Sequence, residues 1–451
     1  MARSDQLSRI SRAIGRRKLV WLGIRGHDAM ALRHISQFED CFAVTAPLEA
    51  TQLRVDTTLE ELTGVRVDLD TYEIDDDQRP ELLIFRGMLL ESLNSDCVVA
   101  TYRPSHFLSN AHFASLQTAE YLGLFKERQA AFEHKPWVET QLARCGVQTI
   151  PWRYIAEERR DELSDFMNGE PIILRASRSS GGTGVVLLSH IDELDQSWEV
   201  RPDSLIAVGP FLRDCVSINV GACVFPDGTV TVHPASFQLI GIPECTNRRF
   251  GYCGNDLALF ATLDRNVITA LDDMTRRVGR WLWSQNYIGA FGMDVIVDGG
   301  RVYFSEINPR FQGSTSLTTT ACEEAGESDL LLDHLAACLG LEPDSDTRDR
   351  SLLDWVGLLP PVSQVILHNL EDVNVSLTAP TSLNVAGSLR THTELVPLTG
   401  SLVAPGAILA RLVVQDASSH SGYELTEAIK PLVRQMLTAF KPLPSEVTVM
   451  K

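Results

Sequence analysis

The residues with the clearest chemical potential lie between 292 and 313, in the run GMDVIVDGGRVYFSEINPRFQG. It brings Asp294, Glu306, Asn308 and Arg310 together within a short stretch of chain. Two carboxylates and an amide oxygen form a hard oxygen set of the kind that holds Mg2+ (or Mn2+), with substrate phosphates completing the shell. Glu306 and Asn308 are two apart on an extended run and so face the same way. A strict two-residue turn at Gly299-Gly300 would set Asp294 opposite Ser305 and send Glu306 to the other face. A three-residue loop centred on Gly300, with or without a bulge, sets Asp294 opposite Glu306, and this is the register expected. Facing carboxylates repel unless a cation lies between them. The plainer alternative is a surface hairpin with solvated charges. Apolar residues on both faces, Val295 and Phe304 among them, argue against it, because buried acids need partners.

A second element is the glycine-rich run 177–184, SRSSGGTG, between two apolar stretches. Glycines let the backbone approach a ligand closely and present N–H groups to phosphate. The run lacks the P-loop pattern G-x-x-x-x-G-K-[ST], and 23–28 lacks G-x-G-x-x-G. Arg175, at the end of the preceding strand, needs an anion if it is buried, and phosphate suits it. Lys135 stands at the head of a helix, where a cation slightly opposes the helix dipole, and an ordinary surface lysine is the plainer alternative to a phosphate ligand. Arg310, alternate to Glu306 and Asn308, is placed to neutralise charge in a transition state. Arg248 and Arg249, in a polar loop over 241–255, are candidates to orient a substrate carboxylate. Solvated surface charge is the ordinary alternative for the loop arginines.

These pieces follow one another in an order that resembles the ATP-grasp superfamily: Lys135, Arg175, the glycine loop, Asp294, then E-x-N-x-R at Glu306, Asn308 and Arg310. The resemblance covers about residues 116–340 and is most similar to amino-acid and peptide ligases of the pheganomycin type. It implies that Lys135 and Arg175 hold ATP phosphates. Ser180, Gly181, Gly182, Thr183 and Gly184 form a mobile lid over them, and Pro210, Phe211 and Leu212 lie at the adenine. Asp294, Glu306 and Asn308 take magnesium, and Arg310 sits at the reacting centre. The sequence departs from the family pattern at Arg175, where many members carry lysine, and at the hinge 208–210, which lacks the usual ribose-binding glutamate; Asp214 is the nearest substitute. The activity implied is ligation of a carboxylate to an amine or peptide through an acyl phosphate. The alternatives are a bicarbonate-activating carboxylase and a non-catalytic ATP-binding regulatory protein. The kinase signatures H-R-D and D-F-G are absent.

The elements that must position these residues read as α/β and α+β multidomain architecture. Residues 1–115 alternate short apolar runs (18–23, 82–85 and 97–100 as strands) with helical stretches, as in the small α/β domain that precedes an ATP-grasp domain. An amphipathic helix is expected at the N-terminus, from Leu7, Ile10 and Ile14. Residues 116–345 form the ATP-grasp domain, with a lid lobe over about 150–210. Within it, 116–146 is expected to be helical and 264–285 a long helix. Residues 346–451 form a C-terminal domain, in which 402–414 resembles the family's closing segment, with a final helix over 425–440 kinked or restarted at Pro431.

At 451 residues the chain can bury a core without disulfide or metal staples. A net charge of −19 makes nucleic acid a poor partner. Nine cysteines without a C-x-x-C pair suit a reducing, cytoplasmic setting. No apolar run approaches the ~20 residues of a membrane span, and a homodimer is a reasonable expectation.

Overall fold

The computed structural model describes residues 2–45, 57–69, 75, 79–107, 119–179, 181–198, 205–377, 390–394, 397 and 400–442. The apolar run after the N-terminal helix Ala2–Ile14 becomes the central strand Lys18–Arg25 of a five-stranded parallel sheet. Its neighbours are Phe38–Thr45 and Cys97–Thr101, with Thr57–Thr58 and Ala119–Leu122 at the edges. Two expectations fail here. The apolar run 82–85 belongs to a helix, Pro80–Leu93, not a strand. Pro80 opens its first turn, and Leu82, Phe85, Leu89 and Leu93 recur at helical spacing on the buried face. The stretch 116–146 is not helical throughout, because Ala119–Leu122 pairs with Cys97–Thr101 before the helices Lys126–Phe132 and Lys135–Arg144 begin.

A separate four-stranded antiparallel sheet is built from Arg153–Ala156, Leu205–Pro210, Ile172–Ala176 and Val185–Leu188. The largest sheet has eight antiparallel strands, running from Arg301–Asn308 and Gly289–Asp298 through Val216–Val224 and Val230–Ile240 to Tyr252–Asp256. Ser363–His368, Ile408–Val414 and Thr391–Glu394 then continue it, so strands from 346–451 extend the central sheet. Val230–Ile240 holds Pro234 in mid-sheet, where the missing N–H is tolerated only at an irregularity. The pairing shows one: Val220 faces Ala235 and Ala222 faces Val232, so two residues oppose Gly221.

The long helix Arg265–Ser284 is capped by Asp264, whose carboxylate accepts from the Asn266 N–H. Its apolar stripe packs under the central sheet, in one core with Val138 and Leu142 of the Lys135–Arg144 helix and Val295 and Phe304 of the hairpin. That shared core fixes Lys135 relative to the acidic pair. At the C-terminus, Pro431 lies in the first turn of the helix Lys430–Thr438, so it starts that helix and does not kink a longer one.

Candidate functional site

The strands Gly289–Asp298 and Arg301–Asn308 turn through Gly299 and Gly300, both at positive φ. Asp298 pairs with Arg301, so the turn has two residues, not the expected three. A Gly-Gly pair suits such a turn because its twist matches that of the strands. The register is corrected further along, where an irregularity at Ser305 brings Asp294 opposite Glu306. The expected pairing is therefore present, produced by a bulge and not by the loop.

Asp294 is held by two amides. Asn308 Nδ2 donates to it at 3.1 Å and Gln312 Nε2 at 2.7 Å. Burial and the adjacent Glu306 push the Asp294 carboxyl well above the usual carboxylate range. Burial also disfavours charge on Glu306, but Lys135 Nζ at 2.8 Å outweighs it and holds this carboxyl low. Charge is thus disfavoured on Asp294 and favoured on Glu306. A divalent cation fits this arrangement by offsetting the repulsion between the two acids, with Asn308 Oδ1, which accepts no hydrogen bond among the described residues, as a third donor. Among the described residues no group of three or more His, Cys, Asp or Glu has metal-holding geometry. The site therefore suits a cation that takes its remaining ligands from phosphate or water.

Lys135 is buried at the first turn of its helix, where the His134 ring accepts from the Trp137 N–H. Its ammonium also donates to the Ser179 carbonyl at 3.1 Å, which ties it to the glycine loop. Arg175 is differently engaged from what the sequence suggests. Its Nη2 meets Glu139 at 2.5 Å, its Nη1 donates to the Ser305 carbonyl at 3.1 Å, and its guanidinium lies 4.2 Å from the Trp152 ring. Only Nε is buried without a hydrogen bond. Arg175 therefore clamps the bulge as much as it faces a ligand. Arg310 donates to the Phe311 carbonyl and lies 3.6 Å from Glu133. Burial works against its charge, but Glu133, Tyr102 and the two acids hold its pKa above the ordinary value.

These groups border one cavity of about 630 Å³. Of the residues singled out in the sequence, Lys135, Arg175, Gly181, Gly182, Pro210, Phe211, Leu212, Asp294, Glu306, Asn308, Arg310 and Arg249 line it. Thr183, Gly184 and Arg248 do not, and Ser180 lies outside the described residues. The two loop arginines separate: Arg248 is ion-paired with Asp68, whereas exposed Arg249 reaches the cavity. Gly182, at φ +77°, rests on the Phe250 backbone, where an added Cβ would lie 2.0 Å from the carbonyl oxygen.

Sequence reasoning missed Gln312, Trp152, Glu139, Arg25 and Tyr102. Gln312 continues the alternation of Glu306, Asn308 and Arg310 by one step, a signal that was available. Trp152 packs on Gly209, where a Cβ would come within 2.6 Å of the ring. Only tertiary structure brings these two together.

The arrangement of sheets is the ATP-grasp fold. Residues 138–314 match the model of the ATP-grasp domain. The formate-dependent phosphoribosylglycinamide formyltransferase of Erythrobacter litoralis (strain HTCC2594) is 24% identical over 238 residues, 51% of this chain and 55% of that protein. The chain spans about half the length of the formyltransferases that it matches. A biotin carboxylase–β,γ-ATP complex from Campylobacter jejuni superposes with a TM-score of 0.59 at 14% identity, over 94% of this chain and 91% of that one. The N5-carboxyaminoimidazole synthetase from Staphylococcus aureus complexed with ADP gives 0.55 at 12% identity, over 93% and 97%. No helix among the described residues is long and apolar enough to cross a membrane.

Proposed function

We propose that this chain is an ATP-dependent ligase that joins a carboxylate to an amine, an amino acid or peptide, through an acyl phosphate, with release of ADP and phosphate. The observation that carries this reading is the acidic pair Asp294–Glu306, set face to face in the cavity with Lys135 on one acid and Arg310 lining the same cavity. ATP enters as substrate, with its adenine by Pro210 and Leu212; the former offers only a carbonyl and the latter an N–H as well. Magnesium, held by Asp294, Glu306 and Asn308, supplies charge neutralisation at the phosphates. A carboxylate oxygen attacks the γ-phosphorus as its bond to ADP breaks. The amine nitrogen then attacks the acyl carbon, phosphate leaves, and the nitrogen loses a proton. Arg310 offsets the charge on the acyl oxygen in the second step. The glycine loop, seated on Phe250, excludes water that would hydrolyse the acyl phosphate.

A second reading is favoured by the comparisons, whose names include a carboxylase and a formate-dependent enzyme. In it the activated acid is bicarbonate or formate. Hydroxylamine trapping separates the two. Purified protein with MgATP and pools of carboxylic acids is assayed for hydroxamate and ADP, beside Glu306→Gln. Acid-dependent hydroxamate that is lost in the variant supports the ligase. ADP release that requires bicarbonate or formate and ignores every larger acid supports the alternative. MgATP binding without ADP release in any pool would refute both.

A further inference from the structure

The cavity that holds the acidic pair also has lining residues of a different character. The strands Ser363–His368 and Ile408–Val414 send Val365, Leu367, Leu409 and Leu412 into the C-terminal core. Ile366 and Ile408 form a separate small cluster with Leu69 and Tyr252, and all four line the cavity. One wall is thus apolar, built from the N-terminal domain, the central sheet and the C-terminal strands.

Beside this wall stands Arg25, at the end of the strand Lys18–Arg25 and only 5% exposed. Its Nε meets both oxygens of Asp28, at 3.1 and 3.3 Å, and its Nη2 donates to the Tyr102 hydroxyl at 3.1 Å. Nη1 makes no hydrogen bond among the described residues, and the residue lines the cavity. Tyr102 lies in the fields of both Arg25 and Arg310, which links this compartment to the reacting end. The nearby acids are each beside an arginine: Asp28 on Arg25, Asp68 on Arg248, Glu133 3.6 Å from Arg310. An ammonium group entering here meets no carboxylate that lacks a cationic neighbour, whereas a carboxylate meets Arg310 and the open Nη1 of Arg25.

We propose that this compartment takes the activated acid, and that the acid has an apolar body of about the bulk of a leucine or phenylalanine side chain. Its carboxylate lies between Arg25 and Arg310, and its body lies on Leu69, Ile366, Ile408 and Tyr252. Formate and bicarbonate have no apolar surface to bury on that wall, and a dicarboxylate would strand its second charge there. The inference rests on the reading of the site as one that activates a carboxylate, so its test reads binding separately from turnover.

The full chain, saturated with magnesium and a non-hydrolysable ATP analogue, is titrated calorimetrically with 4-methylpentanoate, 3-phenylpropanoate, formate, bicarbonate and succinate. The same acids are assayed for hydroxamate and ADP with MgATP. One of the two apolar acids is expected to bind at least tenfold more tightly than the three others. Leu69→Glu, at a half-buried loop position, is expected to erase that preference while nucleotide affinity stays within twofold. Arg25→Gln is expected to weaken binding of both apolar acids. Equal or tighter binding of formate, bicarbonate or succinate overturns the proposal, as does binding of no acid or a preference that survives Leu69→Glu. Tight binding of an apolar acid without hydroxamate or ADP leaves the compartment's role standing and sinks the ligase reading. Turnover with formate or bicarbonate alone sinks the proposal and supports the second reading of the site.

Discussion

Arg310 and Lys135 both carry positive charge at the acidic pair, but their surroundings assign them different tasks. Lys135 is spent on Glu306 and the Ser179 carbonyl, so its first effect is to keep Glu306 ionised. Arg310 uses one Nη on the Phe311 carbonyl and approaches Glu133 through Nε. Arg310 lines the cavity, and lysine cannot reproduce its planar fork. Arg310→Lys is therefore expected to lower kcat about 100-fold, as for loss of one oxyanion donor, with little change in nucleotide affinity. Steady-state ADP release beside equilibrium nucleotide binding checks this, and a matching loss in both would assign Arg310 to binding instead. Lys135→Met acts through Glu306, whose carboxyl rises once the ammonium is gone. The KM for MgATP is expected to rise at least tenfold near pH 6 and to recover partly as pH is raised, a profile that Arg310→Lys does not show.

At the scale of elements, two short segments govern the site: the bulge at Ser305 and the glycine loop. Gly182 combines a left-handed backbone with contact on the Phe250 carbonyl. Gly182→Ala adds roughly 1 kcal/mol of backbone strain, and its Cβ also clashes with backbone rather than with a side chain that can rotate away. The loop is expected to stay off Phe250, which cuts kcat at least tenfold and diverts turnover toward ATP hydrolysis without product. The ratio of ADP to hydroxamate measures that leak, and an unchanged ratio would show that the loop does not exclude water. Much of this level was legible in the sequence. Glu306-x-Asn308 reads directly because alternation on a strand puts both on one face, whereas Arg310 lies past the end of the strand, in a turn where its N–H donates to the Asn308 carbonyl. The pairing of Asp294 with Glu306 was also expected, although the wrong device was credited, because a bulge has no sequence signature as local as Gly-Gly. Pro234 hid the strand Val230–Ile240, since proline signals a break and the sheet accommodates it at an irregularity. The run 82–85 was too short for periodicity to separate a strand from a helix. The inner compartment was beyond reach, because Leu69, Ile366 and Ile408 meet only when strands from distant parts of the chain share one sheet.

At the scale of the whole molecule, the N-terminal sheet and the central sheet are joined through His334 in the helix Leu330–Cys338. Its Nδ1 accepts from the Ala290 N–H at 3.0 Å, and its Nε2 donates to the Leu122 carbonyl at 3.3 Å. Phe311 packs edge-on against the ring at 5.0 Å. This uses both nitrogens of a neutral imidazole, and protonation at Nδ1 would set an N–H against an N–H. Burial pushes the His334 pKa down to about 4, in spite of the Leu122 hydrogen bond. An unfolded chain takes up this proton near pH 6.5, so between 6.5 and 4 the unfolded state holds more protons than the folded one. Stability then falls as pH drops through that window, by about 3 kcal/mol once the pH is below 4. Asp256 works in the opposite sense, because burial raises its carboxyl to about 6. Its unfolded form loses the proton first, so its contribution to stability declines as pH rises from about 4 to 6. The raw stability curve mixes the two, and the informative quantity is the difference between the native chain and His334→Gln. Gln keeps one donor and one acceptor but cannot take up a proton. Denaturant unfolding at pH 7.5, 6, 5 and 4 is expected to show the native chain's advantage shrinking steadily toward acid. A pH-independent difference would mean that His334 takes up its proton as readily in the folded chain as in the unfolded one, and that the contact between the two sheets does not depend on a neutral imidazole.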